Sequence, residues 1–240
     1  MANTIPISEI FGPTVQGEGR QIGLLTVFVR TGGCDFRCNW CDTLYAVLPE
    51  HRHDWAPMSA TAILDEIDRL TEQRPILVTL SGGNPAIHDL SELLQFGHER
   101  GHTFTMETQG SIAREWFAEL DQLTLSPKPP SSGMDNDPDK FQACLDAAGD
   151  IKRTKRTPTE LKLVVLNQAD FDWAESFAAA YPELPLTLQV CNEDPSAPAD
   201  PAVLLERFDW LVDQVRAAGL HRARVLPQLH VLAWGSRRGV

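Results

Sequence analysis

From Leu24 onward, short apolar runs rich in β-branched residues alternate with stretches whose apolar residues recur at helical spacing. That is the pattern of a repeating β–α fold built on a parallel sheet. The runs LLTVFVR, ILVTL, TFTME, QLTLS, ELKLVV and LTLQV read as strands, with RARVL as a last one. Between them, Ser59 reads as the N-cap of ATAILDEIDRL, in which Ile63, Ile67 and Leu70 share one face. Further helices are expected at LSELLQFGHER, AREWFAEL, PDKFQACLDAA, FDWAESFAAAY and PAVLLERFDWLVDQVRAAG. Two stretches, 47–58 and 129–138, are the least regular, and the second (PPSSGMDNDP) carries the turn residues of a mobile surface loop. Both read as candidate lids, and with no separate core between them a single domain over 1–240 is expected.

Composition narrows the class. The 240 residues are 42% hydrophobic and 22% charged, enough to bury a large core in an ordinary globular protein. No apolar run approaches the roughly 20 residues that span a bilayer. The N-terminal MANTIPISEIFG has no basic segment followed by a continuous apolar stretch, so a cytoplasmic protein without membrane contact is expected. A net charge of -12 disfavours charge-driven binding to nucleic acid, and the one basic run, IKRTKR over 151–156, reads as a solvated loop. Three of the five cysteines fall within eight positions, which argues against a disulfide framework and for metal or redox chemistry in a reducing compartment. Cys144 and Cys191 read as buried small hydrophobes.

The unusual residues fall where expected strands end. Ser81-Gly82-Gly83-Asn84-Pro85 follows ILVTL, Glu107-Thr108-Gln109-Gly110 ends TFTME, Ser126-Pro127-Lys128 ends QLTLS, and GGCDFRCNWCDT follows LLTVFVR. Carboxyl ends of parallel strands form the face where ligands bind, so four loops converge on one expected site. In the cysteine loop, three and two residues separate successive thiols. A structural zinc site closes its tetrahedron with four protein ligands, whereas a three-cysteine cluster leaves one position open. His51 and His53 are the nearest residues that could close a zinc site, and free thiols are a third reading. On composition alone, Gln16 and Glu18 in their Gly-rich turn would face solvent, SGGNP would be an ordinary turn, and Thr43 would bond to its own backbone.

The C-x3-C-x2-C spacing, with Trp40 before the third cysteine, resembles the signature of the radical S-adenosylmethionine (radical SAM) superfamily. The resemblance implies a partial or modified (βα) barrel of six to seven mainly parallel strands. It also implies a four-iron four-sulfur (4Fe-4S) cluster on Cys34, Cys38 and Cys41, in loop 31–43, whose remaining iron takes the methionine end of S-adenosylmethionine. One electron would then break the sulfonium bond to give a deoxyadenosyl radical, so no side chain is assigned the catalytic step. Ser81 to Pro85 is similar to the glycine-rich turn of that superfamily, usually GGEP, with Asn84 at the acidic position. This implies docking of the cofactor's amino group at Gly83 and Asn84. Glu107 would face its ribose and Ser126 and Lys128 its anionic groups, with Trp40, Asp42 and Gln189 completing the cofactor set.

A narrower resemblance rests on Phe11-Gly12-Pro13-Thr14-Val15-Gln16-Gly17-Glu18-Gly19, which is similar to an F-x-S-x-Q-G-E-G element. Together with Arg30, the CDT at 41–43, ETQG, SPK and a terminal PQLH, it resembles the 7-carboxy-7-deazaguanine synthase family. That implies conversion of 6-carboxy-5,6,7,8-tetrahydropterin to 7-carboxy-7-deazaguanine with release of ammonia, in the 7-deazapurine pathway that includes queuosine. It implies Mg2+ at Thr43 and a substrate-binding segment over 1–24. Gln16 and Glu18 suit the donors of a pterin edge and Arg30 its carboxylate, with Val15, Gly17, Ser81, Gln228 and His230 beside them. A small redox protein as electron donor and a homodimer are implied too. The alternatives are an activase of glycyl-radical enzymes and a non-catalytic zinc-binding module.

Overall fold

The structure is a computed structural model that describes residues 3–149, 157–192 and 197–240, so the basic run at 151–156 lies outside the described residues. The elements follow in the order β1 (Ile5–Val15), β2 (Leu25–Thr31), α1 (Leu44–Val47), β3 (Ala56–Met58) and α2 (Ala60–Thr71). Then come β4 (Leu77–Gly82), α3 (Ser91–Glu99), β5 (Thr103–Thr108), β6 (Gln122–Leu125) and α4 (Pro138–Ala147). The chain continues with β7 (Thr159–Val165), α5 (Gln168–Ala179), β8 (Leu186–Val190), α6 (Pro201–Ala217), β9 (Ala223–Leu226) and α7 (Leu229–Trp234). All nine strands form one sheet in the order β3-β1-β2-β4-β5-β6-β7-β8-β9. From β2 to β9 every neighbouring pair is parallel, while β1 runs antiparallel to both β2 and β3. The seven runs read as strands are these seven parallel members. The sheet is open, since β3 and β9 end it without meeting.

The parallel strands are mostly apolar on one face and mostly polar on the other, with Phe28 and Val164 as apolar members of the polar face. Val27 and Val29, Val78 and Leu80, Phe104 and Met106, Leu161 and Leu163, and Leu186 and Leu188 alternate along their strands with Thr26, Thr79, Thr105, Glu160, Lys162, Thr187 and Gln189. Successive side chains of a strand point to opposite faces, so this alternation makes one apolar face and one polar face. The apolar set joins Ile63, Leu64 and Ile67 of α2, Leu93 and Leu94 of α3, Phe141 of α4 and Phe171 of α5 in one buried core. Each such large side chain contributes about 1.5–3 kcal/mol by leaving water. The polar set is equally buried but on the opposite face of the sheet, where burial requires each group to find a partner.

Helix starts follow their caps. The Ser59 hydroxyl accepts from the Ala62 amide at 3.2 Å, as the sequence suggests. Asp137 and Asp200 cap α4 and α6, each with proline in the first turn. The segment at 113–120 is not an α-helix but a 3-10 turn over Glu115–Glu119. Its adjacent Trp116 and Phe117 are both buried, in edge-to-face contact at 5.0 Å. Among the described residues, no helix is long and apolar enough to cross a membrane.

Both stretches read as lids are tied down. The 47–58 region holds a 3-10 helix at Pro49–Asp54 and the edge strand β3, and the Trp55 indole donates to the Tyr45 carbonyl at 2.8 Å. A Cβ on Gly32 would overlap that indole, so only glycine lets the two meet. In 129–138, Ser132 donates to the Pro129 carbonyl at 2.6 Å, and the Asn136 side chain spans to the amide and carbonyl of Lys128 at 2.8 and 2.6 Å. The expected substrate segment 1–24 contributes β1, an integral strand of the sheet.

Candidate functional site

At the carboxyl ends of the parallel strands lies a cavity of about 400 Å3, a volume suited to small-molecule ligands. The cysteine loop leaves β2 and forms one wall, and Cys34, Cys38 and Cys41 all line the space. The glycine turn after β4 supports the loop: Gly83 donates to the Thr31 carbonyl at 3.1 Å and Asn84 to that of Gly33 at 2.8 Å. A Cβ on Gly83 would overlap the Gly33 carbonyl, so this approach of two backbones requires glycine. The Cys34 sulfur accepts from the Phe36 amide at 3.4 Å and from Gln109 Nε2 at 3.7 Å. Burial pushes the Cys34 thiol up, and pushes that of Cys38 to about 11 against the pull of Lys128. Thiols held this way release their protons readily only to a strong positive charge such as a metal centre.

The 129–138 segment clasps this loop. Asn39 donates its amide to the Ser132 carbonyl at 2.9 Å, and the Trp40 indole donates to Ser131 Oγ at 2.9 Å. Ser131 in turn donates its hydroxyl and amide to the buried Asp170 carboxylate at 2.6 and 3.0 Å. Asp170 therefore fixes the indole between the second and third cysteines through a single hydroxyl. Ser131→Ala removes that link while leaving the backbone bond to Asp170. A hydrogen bond lost here is worth about 1 kcal/mol, so metal loss to a chelator should be about five-fold faster, with unchanged circular dichroism. The rate of bleaching of visible absorbance checks this.

The floor is a network of charges. Lys162, on β7, is 2% exposed and donates to both Glu18 and Glu107, the latter at 2.8 Å. Glu18 also accepts from Gln228 Nε2 at 2.9 Å, and His230 lies 4.0 Å from it. Burial would raise the Glu18 carboxyl, but Lys162 and then His230 hold it well below the usual range. Burial likewise disfavours the Lys162 ammonium, and Glu107 with Glu18 reverse this and raise its pKa. The Glu18 carboxylate and the Lys162 ammonium thus hold each other in the charged form.

A third cluster brackets Arg30. Glu9 accepts from Arg30 Nε at 2.8 Å, from the Tyr45 hydroxyl at 2.8 Å and from Arg238 Nε at 2.9 Å. Burial raises the Glu9 carboxyl, and these donors outweigh it and leave the pKa lowered. The Arg30 guanidinium lies 5.8 Å from the Phe11 ring and 5.9 Å from that of Tyr45, and Phe11 stacks on Phe28 at 5.0 Å. One flat apolar surface and one cation whose two terminal nitrogens have no hydrogen-bond partner among the described residues thus share a wall, which suits a planar ligand bearing a carboxylate.

A model of the radical SAM superfamily matches residues 28–158. The 7-carboxy-7-deazaguanine synthase of Bacillus cereus is 41% identical over 98% of this chain and 99% of that one, and the Bacillus subtilis enzyme of the same name is 40% identical over the whole of both. The chain belongs to the 7-carboxy-7-deazaguanine synthase family. The crystal structure of QueE from Escherichia coli shares its fold, with a TM-score of 0.69 and 22% identity over 95% of each chain. Members of this family are radical SAM lyases, using a 4Fe-4S cluster and S-adenosylmethionine on a small molecule.

The residues present fit that cofactor pair. Three thiols border one space, but among the described residues no three His, Cys, Asp or Glu side chains close on one metal ion. Cluster cysteines each take a different iron, so they need not converge on a point. His51 and His53 do not line the cavity and face Asp54 on the 3-10 helix instead, so neither of them completes a zinc site on the three thiols. The Ser81 hydroxyl is buried in the cavity wall without a hydrogen-bond partner among the described residues, a polar atom that a ligand would satisfy.

Most residues singled out in the sequence border this cavity. Val15, Gln16, Gly17, Glu18, Arg30 and Ser81 do so from the first strands and the glycine turn, and Gln189, Gln228 and His230 from the far side. Trp40, Asp42, Thr43, Gly83, Glu107 and Lys128 line it beside the cysteines. Thr43 precedes α1 without capping it, and its hydroxyl lies 3.6 Å from the Cys41 sulfur. Two residues lie behind the wall. The carbonyl of Asn84, expected to accept from the cofactor, accepts instead from Thr108 Oγ1 at 2.8 Å and the Ala86 amide at 3.2 Å, and its nitrogen serves Asp35 at 2.9 Å. Ser126 is fully buried and faces Lys128, whose ammonium donates to its hydroxyl at 3.1 Å. Glu9, Tyr45, Lys162 and Arg238 border the cavity without having been singled out. For Lys162 a signal existed, a charge in the polar phase of a strand-like run.

Proposed function

We propose that this chain converts 6-carboxy-5,6,7,8-tetrahydropterin to 7-carboxy-7-deazaguanine with loss of ammonia. The observation that carries the proposal is that the three thiols, the Arg30 wall and the Glu18 floor border one cavity. When bound on Cys34, Cys38 and Cys41, the cluster supplies the electron that cleaves S-adenosylmethionine to its radical. The protein's part is alignment. Glu107, with one oxygen on Lys162 and the other unengaged among the described residues, accepts from ribose hydroxyls, and the Gly83 backbone leaves room for the methionine end. Arg30, steadied by Glu9, offers its terminal nitrogens to the substrate carboxylate while Phe11 and Phe28 pack against one side of the ring.

Glu18 and Gln16 receive the pterin donors, and His230 with Gln228 closes the same end. Thr43 offers a hydroxyl to Mg2+, a hard cation that also takes substrate oxygens and water. A small redox protein delivers the electron and the working unit is a homodimer, both on the strength of the family resemblance. Five unpaired cysteines support a reducing compartment, the cytoplasm. The activase reading has no support, because the similar curated proteins are 7-carboxy-7-deazaguanine synthases.

The test is an anaerobic assay with the pterin, S-adenosylmethionine and a reductant. Ammonia and the deazapurine should appear in equal amounts. Cofactor cleavage without either product would overturn the substrate assignment.

A further inference from the structure

Lys162 is the most deeply buried cation of the cavity, on a strand whose seven residues are all buried. Gly19 packs over Glu160, the strand neighbour of Lys162, with a left-handed φ of +62°: a Cβ there would meet the Glu160 carboxylate at 2.9 Å, whereas the Lys162 stem, at 3.7 Å, lies at ordinary contact distance. The charged groups facing Lys162 come from every side. Glu18 precedes the Gly19–Gln21 turn, Glu107 comes from β5, and Glu160 from β7 itself, two residues before Lys162 on the same face. His230, from α7, approaches Glu18. Glu160 is held by neutral donors and a backbone amide: Thr124 at 2.9 Å, Thr187 at 3.1 Å and the Arg20 amide at 2.7 Å. One ammonium thus pairs with two carboxylates while a third shares its strand face, and its two ion pairs join the carboxylate proposed to face the pterin to the one proposed to face the ribose.

We infer that Lys162 is a positioning residue that keeps Glu18 and Glu107 ionised and at a set spacing, so that one buried charge aligns the two ligands with each other. The inference rests on the ligand assignments proposed above. Two carboxylates sharing a poorly hydrated cavity without a cation repel, and one of them takes up a proton. A protonated Glu107 or Glu18 turns an acceptor toward its ligand into a donor. Without Lys162, the binding of both ligands therefore acquires a titration that the native protein lacks. The sign follows from the carboxyl pKa: binding is weak where the shared proton is held, at low pH, and strengthens as the proton leaves.

The experiment is equilibrium dialysis under nitrogen of S-adenosylmethionine, and separately of the stable product 7-carboxy-7-deazaguanine, on the cluster-loaded protein between pH 6 and 8. Wild type, Lys162→Met, Lys162→Gln and Lys162→Arg are compared. Glutamine keeps a donor for one buried carboxylate and loses only the charge, and so it should fold even where methionine does not. Each neutral variant should bind both ligands about ten-fold more tightly at pH 8 than at pH 6 relative to wild type, a change of about one proton. Lys162→Arg should follow the wild-type profile. Neutral variants that fold and keep the wild-type pH profile overturn the inference, because a merely structural lysine moves stability and not the titration. Failure of both neutral variants to fold assigns Lys162 to structure alone and overturns it as well. If wild-type protein binds neither ligand, the functional proposal has failed first, and the inference falls with it.

Discussion

Cys38→Ala is expected to give a folded protein with no cluster and no turnover. Cys38 is only partly buried, sits in a loop and lies outside the buried core, so truncating it removes little packing. It nevertheless removes one of three thiols, and a cubane left with two protein ligands has two exposed irons instead of one. The contrast is Cys144→Ala. Cys144 is fully buried in α4, so its loss should cost about 1–2 kcal/mol of stability through the cavity left behind, with iron content and activity unchanged. Iron and sulfide per chain, measured beside the melting temperature, separate the two variants in opposite directions. Full activity in Cys38→Ala would remove the basis of the account.

Arg30→Ala should weaken binding of the substrate or the product by about a hundred-fold, as charge-assisted hydrogen bonds are each worth about 1.5–3 kcal/mol. The loss has two sources. The ligand carboxylate forfeits its partner, and Glu9 loses one of the three donors that hold it, which loosens Tyr45 and Arg238 on the same wall. S-adenosylmethionine should still bind and be cleaved slowly without product, because the thiols, Gly83 and Glu107 are untouched. Titration of the product into wild type and variant checks the first expectation, and release of 5′-deoxyadenosine without deazapurine checks the second. Unchanged product affinity would remove Arg30 from the carboxylate site.

How much of this was legible in the sequence depends on distance along the chain. The seven parallel strands were, because each alternates or runs apolar over five to seven residues between clear turn signals. Strand β1 was not, since its segment was read through the Gln16 to Gly19 motif and its pairing depends on partners at 25–31 and 56–58. The segment 129–138 has the composition of a free loop, and besides its local bonds it is held by the remote carboxylate of Asp170. Local composition cannot report a bond across that span.

The site shows the same division. Its cysteines, glycine turn and strand-end carboxylate are local patterns. The Glu9 bracket unites residues 9, 30, 45 and 238, which only the fold brings together. Asn84 could be flagged from sequence as a departure, yet only the structure shows its carbonyl already engaged by Thr108. Lys162 was overlooked because an apolar strand was expected around it, although the polar phase of that strand also holds Glu160.

The most direct test is electron paramagnetic resonance of the anaerobically reconstituted and reduced protein, recorded with and without S-adenosylmethionine. The account predicts the signal of a reduced 4Fe-4S cluster, with g-values that shift on addition because the ligand occupies the iron that no cysteine holds. A protein carrying stoichiometric zinc and no such signal, or a cluster whose spectrum ignores S-adenosylmethionine, would contradict it.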